Sequence, residues 1–274
     1  MGDGGLGWMI SGMFNATLLV LALSPAPQAT SQAPYSLFNP VPASDLRPLS
    51  SDRPDATESP ITLDAGHLQF EVSAFDWSRD GSRDRFIGLQ TNAKVGLSSR
   101  TDLQLLLDPY VLEKGAPGGE AEGFGDVVAR LKVNLWGNDG GDSAFALLPY
   151  ARLPVGGEVG GSEVEGGLAL PYSTSVGAVS LGLMASFDAV HDPLDDRYDL
   201  EVLHTAVAGF SLDERNGAYL EYAGIAGPGD YIASVNLGLT RSLSSEMVVD
   251  FGGRVGLSDA AEDFGVFLGF TRRF

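Results

Sequence analysis

The chain has 274 residues, 36 glycines, no cysteine and a formal net charge of −19. That length suits one large all-β domain or two small ones. The missing cysteines exclude a disulfide framework and thiolate metal sites, and the acidity argues against nucleic acid, whose phosphates require a basic surface.

At the N-terminus, Met13 to Leu23 form an apolar run of signal-peptide length, followed by Ser24-Pro25-Ala26 and the small residues Ala29, Ser31 and Ala33. Residues 1–33 therefore read as a secretory signal cleaved between Ala29 and Ala33. No Lys or Arg precedes the run and Asp3 is acidic, so an anchor or a different start is the alternative. Beyond it no apolar run approaches the roughly 18 residues of a membrane helix. Residues 34–65 carry Pro34, Pro40, Pro42, Pro48, Pro54 and Pro60 without sustained periodicity. Proline at that density reads as extended linker. Two readings stay open for it: a solvated periplasmic leader, or a plug whose Asp52, Arg53, Asp55 and Glu58 pair with charges inside a barrel.

From residue 66 the chain alternates. Leu68, Phe70, Val72 and Ala74 oppose Gln69, Glu71 and Ser73; Ile87, Leu89, Thr91, Ala93, Val95 and Leu97 oppose Gln90, Asn92 and Lys94. Leu103, Leu105 and Leu107 follow, and then the clearest case: Val127, Ala129, Leu131, Val133 and Leu135 against Asp126, Arg130, Lys132 and Asn134. Five apolar residues in phase opposite bases and an amide imply two different media on the two faces. The pattern continues through 144–154, 164–172, 178–189, 200–210, 218–226, 231–241 and 247–257. The phase of 200–210 and 218–226 is open. The last stretch places Phe264, Val266, Leu268, Phe270, Arg272 and Phe274 on one face, and Gly265, Phe267, Gly269 and Thr271 on the other.

The reading is an all-β transmembrane antiparallel up-and-down β-barrel over residues 66–274, with about twelve strands and bounds of ten to fourteen. The last strand closes it against 67–77, so that no sheet edge meets lipid. Short links (98–101, 137–142, 173–176, 213–216, 242–245) alternate with outer links (79–84, 111–124, 155–163, 191–199, 227–230, 258–263), and the outer set carries −11 of the −19. Acidic outer links solvate the rim or gather divalent cations against lipopolysaccharide phosphates, without the spacing of a calcium loop.

Inward charges nearly balance: Lys94, Arg130, Lys132, Arg152 and Arg254 against Asp108, Asp126, Glu165, Asp188, Glu221 and Asp250. Such rows either set selectivity or pair to fill the interior. Arg130, Lys132 and Arg152 on adjacent strands are candidates for a basic strip. The imidazoles His67, His191 and His204 have no identifiable triad partners, and no glycine motif opens a helix to cradle phosphate. No catalytic residue, cofactor or metal site is assigned, and the chain reads as a non-enzyme. Trp77, Tyr110, Trp136, Tyr150, Tyr172, Tyr222 and Tyr231 lie near strand ends, as interfacial girdles do.

Asp52-Arg53-Pro54-Asp55, Glu58-Ser59-Pro60 and Gly66-His67-Leu68-Gln69-Phe70-Glu71 resemble the start of the outer-membrane transporter-like proteins labelled "putative meta-pathway of phenol degradation". Gly125-Asp126 with Arg130 and Lys132, Leu153-Pro154 with Gly161-Ser162, and Glu165-Gly166-Gly167 are similar as well. The resemblance spans residues 51–274. It implies a Gram-negative outer-membrane barrel passing small, often hydrophobic or aromatic molecules. The expected partners are outer-membrane lipids and lipopolysaccharide, a small-molecule solute, and the barrel-assembly machinery reading Phe274 as its signal. The alternative is a non-conducting structural or adhesive barrel.

Overall fold

The structure, a computed structural model, describes residues 35–116 and 119–274. The expected signal segment, 1–33, lies outside the described residues. Apart from a 3-10 turn at Ala43–Asp45, the regular elements are strands. They are β1 (Leu68–Asp80), β2 (Arg83–Ser98), β3 (Thr101–Leu107), β4 (Tyr110–Ala116), β5 (Gly119–Gly123), β6 (Val127–Trp136) and β7 (Ser143–Leu153). Then come β8 (Glu165–Val176), β9 (Val179–Asp192), β10 (Arg197–Ser211), β11 (Asn216–Ala226), β12 (Ile232–Ser244), β13 (Met247–Gly256) and β14 (Phe264–Arg273).

Each strand pairs antiparallel with its neighbours, and β1 pairs with both β2 and β14, which closes the sheet. The fourteen segments make twelve wall positions. β3 and β4 both lie on β2, at Thr91 to Ser98 and at Asp84 to Gly88, so they are one interrupted strand. The break falls at Asp108-Pro109, where proline removes an amide that a ladder needs. β5 and β6, on β4 and β3, are the second interrupted strand. The outer link expected at 111–124 is thus largely a hairpin, because β2 runs for 16 residues and offers its outer end to Val111 and Leu112. The outer link expected at 79–84 shrinks to a tight turn in which Asp80 faces Arg83 and Gly81 takes φ 57°.

The barrel is apolar outside and polar inside. Gln69 and Glu71 are each 2% exposed, whereas Leu68 is 47% exposed. Leu103, Leu183, Phe187, Leu220, Leu237 and Phe251 stand outward, and Asn92, Lys94, Gln104, Lys132, Glu221 and Asp250 are buried within. In water an outer surface of this kind would cost roughly 25 cal/mol per Å² of apolar area left wet; hydrocarbon removes that cost. The two open phases are also fixed: Thr205 on β10, and Tyr219 and Glu221 on β11, face inward. The expected tyrosine girdle needs one correction, since Tyr150 turns inward and its hydroxyl donates to Asp188.

One departure from simple alternation shapes the interior. Ala74 is a bulge on β1 relative to β14, and Leu89 opposite it on β2 takes φ 58°. Beyond this point both strands change phase. Ile87, expected outward, instead pairs with Val111, which is fully buried. Asp76, which strict alternation would send outward, reaches Arg254 inside the barrel.

Candidate functional site

The site is built by the proline-rich segment. Pro48, Pro54 and Pro60 keep it out of the ladder, and the chain enters the barrel at the end of the short turns, loops inward and returns. Its neck is pinned. Val41 N donates to Ala65 O at 3.0 Å and Leu37 N to Leu97 O at 3.0 Å. Arg47 Nε donates to Asp64 Oδ1 at 2.7 Å, and Arg273 Nη1 donates to Asp64 Oδ2 at 3.0 Å and to Arg47 O at 2.9 Å. Thr62 N donates to Asn138 Oδ1 and Leu63 N to Asp102 Oδ2, at 2.9 and 2.8 Å. The returning chain lies so close to β2 that a Cβ on Gly96 would stand 2.0 Å from Asp64 O. Only glycine allows that approach.

The tip, residues 51–60, is held by wall charges. Lys132 Nζ donates to both Asp52 oxygens at 2.6 and 2.8 Å, and Lys94 bridges Asp52 and Glu71. Glu58 pairs with Arg130. Arg53 reaches the inner wall at β13, donating from Nη2 and Nε to Asp250 at 2.8 and 3.3 Å. Glu221 accepts from Ala56 N at 2.9 Å, Thr57 N at 2.8 Å and Asn236 Nδ2 at 2.6 Å. Asn134 Nδ2 donates to Pro60 O at 2.9 Å.

Burial opposes the charge on Asp52, but Lys132, Lys94 and Arg130 hold its carboxyl well below the usual range. Burial pushes Glu58 up to about 7, with Arg130 pulling against it and Asp52 adding to it. Burial, and then the charge of Glu221, raise Asp55 well above an ordinary carboxyl. Asp55 makes no ion pair among the described residues.

Two cavities flank the tip. One, of about 1010 Å³, lies toward the turn end between the loop and the walls of β7 to β12; the other is about 270 Å³. Arg53, Pro54, Asp55 and Glu58 line both. The tip is therefore the partition between them. Elsewhere on the inner wall, Leu148, Ala169 and Met184 form a buried apolar cluster joined by Leu203.

Of the lumen residues named from sequence, Lys94, Arg130, Lys132, Glu221 and Asp250 converge on the loop, and so do Asp52, Arg53 and Glu58 from its own side. Arg130 and Lys132 do not join Arg152 in a free basic strip. Arg152 pairs with Glu165 at 3.5 Å and is half exposed. Asp126 accepts from Gly161 N in the 155–163 link, and Arg254 is shared by Asp76 and Glu262. His204 lies on the outer face, hydrogen-bonded to Tyr231 at 2.8 Å. Phe274 N donates to Leu68 O at 2.8 Å, and its ring meets Phe70 edge-on with the Arg272 guanidinium 4.8 Å away. Sequence reasoning did not mark Arg47, Asp64 or Asn138, which with Arg273 hold the neck. No periodicity covers the first two, and the Arg47/Asp64 pair bracketing the prolines is the signal that was available.

The fold and interior define a closed, porin-type β-barrel with an internal loop. The chain belongs to the family described as "Putative MetA-pathway of phenol degradation", whose model matches residues 51–274. No curated protein matches the chain. Among solved structures it is similar to the NanC porin at 7% identity and TM-score 0.51, over 75% of this chain and 98% of that one. A loop-deleted OmpT, an outer membrane protein of Vibrio cholerae, matches at 9% identity, TM-score 0.40, over 76% and 98%. An anion-selective porin from Comamonas acidovorans matches at 9% identity, TM-score 0.37, over the same shares. The first supports the fold.

Proposed function

We propose that this chain is an outer-membrane channel for small molecules, hydrophobic or aromatic ones among them, and that its internal loop is the gate. The observation that carries this reading is the partition: Arg53, Pro54, Asp55 and Glu58 of the loop are the walls that the two cavities share. Lipid covers the outer face, lipopolysaccharide the acidic rim, and Phe274 is the residue read by the assembly machinery. Deleting Phe274 is expected to cut the heat-modifiable, folded fraction severalfold; undiminished assembly would count against that role.

The gate is tested in planar bilayers. Replacing residues 51–60 with a Gly/Ser linker of equal length is expected to raise single-channel conductance severalfold over the intact protein. Equal, near-zero conductance in both would favour the second reading, a non-conducting structural or adhesive barrel. That reading draws on the ion pairs of Asp52, Arg53 and Glu58 with the wall.

A further inference from the structure

The outer wall is not uniformly apolar where it meets the turns. Beside residues 213–216 it carries a groove of about 420 Å³, lined by Leu239, Val249, Phe251 and Leu268 together with Arg241 and Asn216. Leu239 and Arg241 share one face of β12; Phe251 and Val249 lie opposite them on β13, and Leu268 lies opposite Phe251 on β14. Leu239 is 55%, Phe251 53% and Leu268 40% exposed, so the apolar surface of the groove is open to whatever surrounds the barrel. Arg241 stands at its turn end, two residues past Leu239 and so about 7 Å along the strand.

The protein gives Arg241 little to hold. Its Nη1 donates to Asn216 Oδ1 at 3.2 Å, and it makes no ion pair among the described residues. Asp213 also borders the groove but is engaged by its own turn, accepting from Arg215 N, Asn216 N and Asn216 Nδ2 at 2.8, 2.9 and 2.7 Å. Nor is Arg241 alone. Arg100, Arg215 and Arg272, at the same end of the barrel, pair with no carboxylate among the described residues. At the opposite end Arg79, Arg85, Lys114 and Arg197 each pair with one, and Arg83 is the exception.

The free edge of a guanidinium presents two parallel N–H donors, the fork that a phosphate matches. Arg241 keeps Nε and Nη2 uncommitted at the end of an apolar groove. The complement is a molecule with a phosphate at one end and hydrocarbon at the other. The short turns of such a barrel lie on the periplasmic side, where the leaflet is phospholipid, and the bases left unpaired by protein are on that side.

We propose that this groove holds one phospholipid of the periplasmic leaflet, with its phosphodiester on the Nε/Nη2 edge of Arg241 and an acyl chain against Leu239, Phe251 and Leu268. The site rests on the barrel's lying in the outer membrane and not on conduction: a barrel that passes no current would still hold the lipid.

The test is native mass spectrometry of the full, detergent-folded protein mixed with dioleoylphosphatidylethanolamine or dioleoylglycerol at equal concentration. Heat-modifiable mobility reads the fold separately, so failure of the site and failure of the barrel are distinct. One phospholipid per barrel is expected to stay bound, severalfold more often than the diacylglycerol. Arg241→Gln should cut that retention by about tenfold, as loss of a hydrogen bond to a charged group does. Arg83→Gln, which removes an unpaired base at the far end, should leave it unchanged. Equal retention of the two lipids, an unaffected Arg241→Gln variant, or an equal loss in Arg83→Gln would each overturn the site.

Discussion

Asp52 carries the heaviest electrostatic duty in the molecule. It faces Lys94 and Lys132, of which Lys132 is completely buried. Moving two such charges from water costs several kcal/mol per ion, and their attraction to a shared carboxylate offsets that cost only while the geometry holds. The net value of the lattice is therefore small, but removing one member is expensive. Asp52→Asn leaves two buried ammonium groups with one anion fewer, and about 3–5 kcal/mol of loop docking is expected to be lost. Limited proteolysis of residues 47–64 should then proceed far faster than in the parent. Protection equal to that of the parent would show that the lattice does not hold the loop. The sequence made the parts visible, since alternation sent Lys94, Arg130 and Lys132 inward. It offered their partners, Asp52 and Glu58, only in one of two open readings, because they sit in a stretch with no period to reveal which way a side chain points.

At the scale of elements, the bulge and the loop make separate demands. Side chains alternate with period 2, so one extra residue turns every later side chain to the other face. Ala74 and Leu89 supply that extra residue on adjacent strands and bring Asp76 inside to Arg254. Deleting both together restores plain alternation without changing any other facing, and assembly judged by heat-modifiable mobility should survive. Deleting Phe251 from β13 alone should abolish it, since no bulge there absorbs the change and either Asp250 or Arg254 would then face lipid. Strand positions were legible because two media flank the wall; the bulge was not, because the pattern on its far side reads equally well in either phase. The one clue was a carboxylate, Asp76, set where hydrocarbon would lie. The β4–β5 hairpin was hidden for another reason: its Gly- and Glu-rich sequence reads as loop, and only the length of β2 makes it a ladder.

Docking of the loop is expected to depend on pH. Glu58 is raised from an ordinary 4.5 to about 7 in the docked state, and Asp55 is raised as well. The docked form thus binds protons more strongly than the released form. Docking keeps this contribution below about pH 4.5 and loses it as pH rises toward 7. Opening events in planar bilayers should be more frequent at pH 8 than at pH 5, and Glu58→Gln should flatten much of that slope. The opposite slope would mean that ionised Glu58 grips Arg130 more strongly than burial penalises it.

For the whole molecule, the wall is held by ladder bonds along every strand, and the internal loop carries none along residues 47–64. Twelve wall positions close on themselves, so the barrel itself has no free edge along which to part. Conformational change in the lumen has to be carried by residues 47–64. Because both ends of that segment are pinned at the turn end, by Asp64 with Arg47 and Arg273 and by the Val41–Ala65 hydrogen bond, the tip can leave the lumen in only one direction.

That tethering has an electrical consequence. Between residues 51 and 60 the loop carries Asp52, Arg53, Asp55 and Glu58, three acids and one base, and so a net −2 when all are ionised. A charge crossing the full field gains or loses about 2.3 kcal/mol per 100 mV, so the tip would gain or lose about 4.6 kcal/mol at 100 mV on complete withdrawal. A potential positive on the side of the turns should draw the loop out, and the reverse polarity should press it in. The barrel is expected to rectify, with current–voltage curves asymmetric about zero, and the asymmetry should vanish when residues 51–60 are replaced by a neutral linker.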